Sequence, residues 1–168
     1  MKTLKQKNIK IKYISSSERD TFSFAKKFAQ KLKGGEVLCL IGDLGAGKTA
    51  FTKGLAAGLG IKNIITSPTF VLMKVYSFSS PLRKGRLGGV VVPLSKKGTG
   101  LLVHIDAYRL NNGEQLLEIG AEDYFNQPDC ITVIEWADRV KDIWPQNVIK
   151  IEFKILTGNK REIKITRN

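Results

Sequence analysis

Gly42-Asp43-Leu44-Gly45-Ala46-Gly47-Lys48-Thr49 is a complete Walker A loop, and the residues on either side of it decide the fold. Before it, Val37-Leu38-Cys39-Leu40-Ile41 is an apolar run of strand length within an expected strand over 36–41. After it, Thr49 to about Leu59 reads as a helix that Gly60 ends. Strand, Gly-rich turn and helix start form the context that separates a phosphate loop from a chance match. The glycines let backbone amides converge on phosphate oxygens, and the helix N-terminus adds the positive end of its dipole. In such a loop Lys48 reaches the β and γ phosphates and the Thr49 hydroxyl sits on Mg²⁺. The competing reading is a Gly-rich strand-to-helix turn that binds nothing.

Working outward, Ile9, Ile11 and Tyr13 alternate with lysines as a first strand does. Ser15-Ser16-Ser17 offers N-caps for a helix carrying Phe24, Phe28 and Leu32, predicted to run to Lys33 before Gly34-Gly35. Phe70 to Phe78 is β-branched and aromatic and reads as a strand. Leu101–Ile105 and Ile131–Ile134 read as buried strands, with short helices at Glu114–Ile119 and Ala121–Phe125 between them. Val148–Leu156 and Glu162–Thr166, separated by Thr157-Gly158-Asn159-Lys160, read as an antiparallel hairpin. Helices between apolar strands predict an α/β fold, a P-loop NTPase-like three-layer sandwich with a mostly parallel central sheet and a C-terminal hairpin.

A length of 168 residues fits one domain, taken as 1–168. No apolar run approaches the about 20 residues of a membrane span, and the Lys-rich start lacks the apolar core of a secretory signal. The two cysteines, Cys39 and Cys130, lie in strand-like runs and read as buried free thiols, which predicts a reducing, cytoplasmic setting. The net charge of +13 favours association with polyanions, although no basic segment is paired with an aromatic RNA-stacking motif. The charge is uneven: of 15 acidic residues, 8 fall between Glu114 and Asp142. The segment of about 79–100 holds Arg83, Lys84, Arg86, Lys96 and Lys97 with no acid, and several Gly and Pro, and reads as a basic insertion on the surface.

A phosphate loop needs a carboxylate on the metal side, at the carboxyl end of a neighbouring strand. Asp106 follows Leu101–Ile105 and Glu135 follows Ile131–Ile134. Asp106 is the Walker B candidate, while Glu135 either orients a water or ligates the metal. Ser67-Pro68-Thr69-Phe70 lies where P-loop proteins often sense the γ phosphate, or it is an ordinary turn.

In chain order these pieces resemble the TsaE (formerly YjeE) family of bacterial tRNA threonylcarbamoyladenosine biosynthesis. The resemblance rests on Ser17-Glu18 with Thr21, the loop at 42–49, Ser67 to Phe70, His-Ile-Asp-Ala-Tyr-Arg-Leu at 104–110, and Ile-Glu-Trp at 134–136. It implies an ATPase that binds ATP with Mg²⁺, hydrolyses it slowly alone, and acts with the TsaD–TsaB pair. That pair transfers threonylcarbamoyl to adenosine 37 of ANN-decoding tRNAs, and ATP hydrolysis resets it. Contact with tRNA then runs through the complex, with direct contact left open by the basic ends, and neither DNA nor membrane is a partner. Carried onto this chain, Leu44, Gly45, Ala46, Gly47, Lys48 and Thr49 contact the phosphates. Thr49, Glu135 and Asp106 serve Mg²⁺, Lys48, Asp106 and Glu135 serve hydrolysis, and Glu18 and Gly158 lie on the base side. Ser67 and Thr69 belong to the switch segment. Trp136 and Arg109 serve hydrolysis or the partner surface, against core packing and a salt bridge. The basic insertion departs from the family pattern. Alternatives are a P-loop small-molecule kinase, which needs an acceptor pocket and a lid, a nucleotide-gated binding module, and a direct RNA-binding protein.

Overall fold

Val37 to Ile41 form a strand at the heart of a seven-stranded sheet. The structure is a computed structural model that describes residues 9–68, 70–79 and 99–167. Thr69 and nearly all of the expected basic insertion therefore lie outside the described residues. In chain order the strands are β1 (Ile9–Ser15), β2 (Val37–Ile41), β3 (Met73–Ser79), β4 (Thr99–Asp106), β5 (Cys130–Glu135), β6 (Val148–Ile155) and β7 (Arg161–Arg167). The helices are α1 (Glu18–Ala29), α2 (Lys48–Gly58) and α3 (Glu114–Glu118), with 3₁₀ turns at Ala121–Tyr124 and Ala137–Ile143.

The strands lie in the order β1-β7-β6-β2-β5-β4-β3. The central four, β6-β2-β5-β4, are parallel. The C-terminal hairpin is present as β6 and β7, and β1 adds antiparallel beyond it. At the other edge β3 runs antiparallel to β4, so three of the six pairings are parallel and the sheet is mixed. Neither edge strand carries a signal of its direction in its own residues, since alternation reads the same either way.

Successive side chains of β2 serve two cores. Leu38 and Leu40 pack with Phe28, Phe51, Leu55 and Phe153, under α1 and α2. Val37 and Cys39 face the other way, toward Leu116, Ala137 and Val140. A strand buried on both faces is why this run is apolar without alternation. Phe51, fully buried, meets Phe153 edge-on at 5.5 Å and 81°, so the first turns of α2 are keyed to β6.

Two boundaries differ from the sequence expectation by three residues or more. The first helix ends at Ala29 because its last turn tightens: Lys31 N donates to Phe28 O at 2.9 Å and Leu32 N to Ala29 O at 3.2 Å. The strand expected from Phe70 begins only at Met73. Val71 N turns back onto Pro68 O at 2.9 Å, and Leu72 takes a φ of +60° before its carbonyl accepts from Asp106 N at 3.0 Å. That reversal brings the 67–72 segment to the carboxyl end of β4.

Candidate nucleotide and metal site

The loop between β2 and α2 curls because three of its residues adopt backbone angles that favour glycine: Gly42, Gly45 and Gly47, at φ +155°, +76° and +105°. Gly42 is also required by space, since a Cβ there would meet Phe153 O at 2.7 Å. Gly47 caps α2, and its carbonyl accepts from Phe51 N at 2.9 Å. The free amides at that helix start face the cavity described below.

Lys48 is buried to within 5% of its surface. Its Nζ donates to Gly42 O at 2.5 Å and Asp43 O at 2.8 Å, and lies 3.6 Å from the centroid of the Trp136 ring. Burial pushes its pKa below the usual lysine value, and the carboxylates of Glu135, Asp138, Asp43 and Asp106 oppose that shift. Trp136 itself holds φ +58°, an uncommon conformation for a bulky residue that costs about 1–2 kcal/mol. Outliers of this kind gather at functional sites.

The two strand-end carboxylates are register partners, Asp106 opposite Glu135, and Glu135 is also opposite Leu40 of β2. Glu135 is therefore one strand from the phosphate loop and Asp106 two. Glu135 Oε2 accepts from the Thr49 hydroxyl at 2.8 Å. Its Oε1 accepts from the Thr52 hydroxyl at 3.1 Å and lies 2.8 Å from His104 Nε2. Asp106 accepts from Tyr108 N at 2.9 Å through Oδ1 and from the Ser67 hydroxyl through Oδ2. Asp106, expected from sequence as the Walker B acid, and Glu135 thus have different neighbours: Glu135 touches the loop threonine, and Asp106 touches Ser67.

These groups surround one cavity of about 460 Å³. Of the residues expected from sequence, Glu18, Leu44, Gly45, Gly47, Lys48, Thr49, Ser67, Asp106, Glu135 and Trp136 line it. Ala46 is fully buried beneath the loop. Gly158 lies in the exposed β6–β7 turn at φ +67° and does not line it. Arg109 also lies outside the cavity lining, with its guanidinium 4.5 Å from the exposed Phe70 ring. Three lining residues were not anticipated: Ala50, Tyr108 and Arg161. Tyr108 meets Trp136 at 4.9 Å between ring centroids. Arg161, at the start of β7, passes 3.3 Å from where a Gly47 Cβ would stand. Thr52 and His104 were likewise missed, although His104 sits two residues before Asp106 and so shares its face of β4.

The cavity suits a phosphate ligand with Mg²⁺. Glycine amides, Lys48 and Arg161 offer positive charge, and a Cβ added at Gly45 would meet nothing within 4 Å. Thr49, Glu135 and Asp106 offer only oxygen donors, the class Mg²⁺ takes. Among the described residues no three His, Cys, Asp or Glu form a metal cage by themselves. Mg²⁺ ordinarily keeps waters and substrate phosphates in place of such a cage.

Comparison with known proteins gives the family. The family model described as "Threonylcarbamoyl adenosine biosynthesis protein TsaE" matches residues 15–163. The tRNA threonylcarbamoyladenosine biosynthesis protein TsaE of Treponema pallidum is 38% identical over 153 residues, covering 90% of this chain and 97% of that protein. The protein of the same name from Bacillus subtilis is 36% identical over 157 residues, 93% of this chain and 85% of its own. The crystal structure of Bacillus subtilis YdiB superposes with a TM-score of 0.71 at 32% identity, covering 96% of this chain and 88% of that one. Among the described residues no helix is long and apolar enough to cross a membrane. The chain belongs to the TsaE family.

Proposed function

We propose that this TsaE-family chain is a Mg²⁺-dependent ATPase of tRNA threonylcarbamoyladenosine biosynthesis. In this reading it works in the cytoplasm with a TsaD–TsaB pair, resets that pair by hydrolysis, and reaches tRNA only through it. The fold is read as a P-loop NTPase-like three-layer sandwich. The observation that carries the reading is the hydrogen bond from Thr49 to Glu135 beneath a Walker A loop whose lysine lines the same cavity. It supports a metal-side carboxylate and a metal-side hydroxyl within reach of bound phosphates.

The roles follow from the neighbours. The loop amides and Lys48 hold the β and γ phosphates of ATP, with Lys48 leaving its carbonyl contacts to do so. Thr49 and Glu135 hold Mg²⁺, which when bound offsets charge building on the phosphoryl oxygens. Asp106, tied to Ser67 and the Tyr108 amide, orients groups on the γ-phosphate side and couples the site to the 67–72 segment. Trp136 and Tyr108 form an apolar wall that limits water. Glu18 and Arg161 line the outer cavity, on the base and ribose side.

The direct test is Mg²⁺-dependent binding and turnover of ATP. Lys48→Ala lowers kcat/KM by about 10²-fold or more. Thr49→Val keeps nucleotide binding in EDTA but raises the Mg²⁺ concentration needed for half-maximal turnover. Undiminished turnover in Lys48→Ala would remove the phosphate-loop reading.

A further inference from the structure

His104 is the one imidazole of the chain, and it is fully buried in the middle of β4. Leu102, His104 and Asp106 alternate along that strand and share a face, the face on which Leu102 packs with Ile131 and Val133 under α2. A leucine would fill the position without a polar atom to bury. Burying a polar group in such surroundings is unfavourable unless a partner compensates it. Among the described residues only one ring nitrogen has a partner: Nε2 lies 2.8 Å from Glu135 Oε1, and Nδ1 is buried with none. An ionised carboxylate only accepts, so against it Nε2 carries the hydrogen of that contact.

The Glu135 carboxylate is therefore divided. Oε1 faces groups from two elements: His104 of β4 at 2.8 Å, and the Thr52 hydroxyl of α2 at 3.1 Å, whose one proton is shared with Lys48 O, also at 3.1 Å. Oε2 takes the single donor Thr49, on the cavity side. The terminal torsion of a glutamate is broad and two-fold, so without such anchors the carboxylate would rotate. Anchored, it presents one fixed oxygen beside Thr49.

We infer that His104, with Thr52 as its second arm, is a positioning residue for the proposed ATPase reaction. It locks Oε1 of Glu135 to the protein so that Oε2 alone faces the metal side of the nucleotide. The inference rests on the ATPase reading above and extends it to a residue that does not touch substrate. Groups behind a metal-side ligand typically affect metal affinity or activity by about 10–100-fold when removed.

The test compares His104→Leu, which removes the donor, with His104→Gln, whose amide nitrogen can stand near Nε2. Three quantities are read: kcat, the Mg²⁺ concentration for half-maximal turnover, and binding of a fluorescent ADP analogue in EDTA and in Mg²⁺. The account expects His104→Leu to lower kcat and to raise the Mg²⁺ half-point, each by about 10-fold. Affinity for the analogue in EDTA stays within about two-fold, its Mg²⁺-dependent part weakens, and His104→Gln recovers most of both losses. A His104→Leu protein with the parent's kcat and Mg²⁺ half-point overturns the inference. So does a His104→Gln protein as impaired as His104→Leu with an equally lowered melting temperature, which marks a packing role only. Should His104→Leu fail to fold, Thr52→Val removes the other arm, and an unchanged Mg²⁺ half-point there overturns it. A parent protein with no Mg²⁺-dependent nucleotide binding and no turnover instead removes the ATPase reading itself.

Discussion

The ammonium of Lys48 rests 3.6 Å from the centroid of the Trp136 ring, although the two residues lie on α2 and beyond the end of β5. A cation over an indole face in a partly desolvated site is worth on the order of 1–2 kcal/mol. The same ammonium satisfies the carbonyls of Gly42 and Asp43. The lysine proposed to bind phosphate is thus stored inside its own loop against an aromatic wall.

That storage makes Trp136 a reporter. Drawing Lys48 toward phosphates removes a charge from the ring face, so Mg²⁺-ATP changes Trp136 fluorescence. In a Trp144→Phe background, which leaves Trp136 as the remaining indole, titration with ATP gives a saturable change that Lys48→Ala abolishes. An emission spectrum that does not respond to saturating ATP contradicts the stored-lysine account.

The packing of α1 against α2 yields a prediction whose sign runs against propensity. Gly to Ala inside a helix ordinarily stabilises by about 1 kcal/mol. At Gly54, however, a Cβ would stand 2.3 Å from Phe22 O and 2.8 Å from Ala25 Cβ. Backbone cannot step aside cheaply, so Gly54→Ala destabilises by about 1–3 kcal/mol. Urea unfolding should give a lower midpoint with an unchanged slope, and a raised midpoint would mean that the helices are not this close.

The Walker loop, its strand and its helix were legible because backbone geometry at Gly42 and Gly47 admits few other residues. The hairpin of β6 and β7 was legible from alternation around Thr157 to Lys160. What the chain does not spell out is strand order, and the site depends on it. Asp106 and Glu135 look alike in sequence, each an acid after an apolar run. Only the placement of β5 beside β2 puts Glu135, and not Asp106, against Thr49. Arg161 escaped notice for the same reason, since it reaches the loop through a hairpin paired across the sheet. Thr52 and His104 were hidden because, one turn along α2 and mid-strand in β4, they read as ordinary core positions. The turn at Phe70 to Leu72 was missed because its residues favour strands while the return to β4 demands a reversal.

The start of α1 carries a pH-dependent contact. Tyr13 donates to Asp20 Oδ1 at 2.5 Å, and Ser16 N donates to Oδ2 at 3.0 Å. The Tyr13 hydrogen bond, followed by the Ser16 amide, holds the Asp20 carboxyl below its ordinary value. A depressed carboxylate contributes stability above its unfolded pKa of about 3.9 and loses it as pH falls through the lower folded value. The same bond raises the Tyr13 phenol, whose contribution is complete below about pH 10 and lost above. Tyr13→Phe should therefore lower the urea midpoint at pH 7, with the difference from the parent shrinking as pH falls through the acid range. A constant difference across that range would mean that the Asp20 charge plays no part in the loss, since the ring that stacks on Phe24 at 4.1 Å is kept in both proteins.

The most direct measurement is ATP hydrolysis by the purified chain with Mg²⁺, alone and with a purified TsaD–TsaB pair, in the presence and absence of tRNA. The account predicts slow turnover alone and strong stimulation by the pair. Glu135→Gln, which keeps the side chain's shape but not its charge, should lose both. Turnover that ignores the pair, or survives in Glu135→Gln, would contradict it.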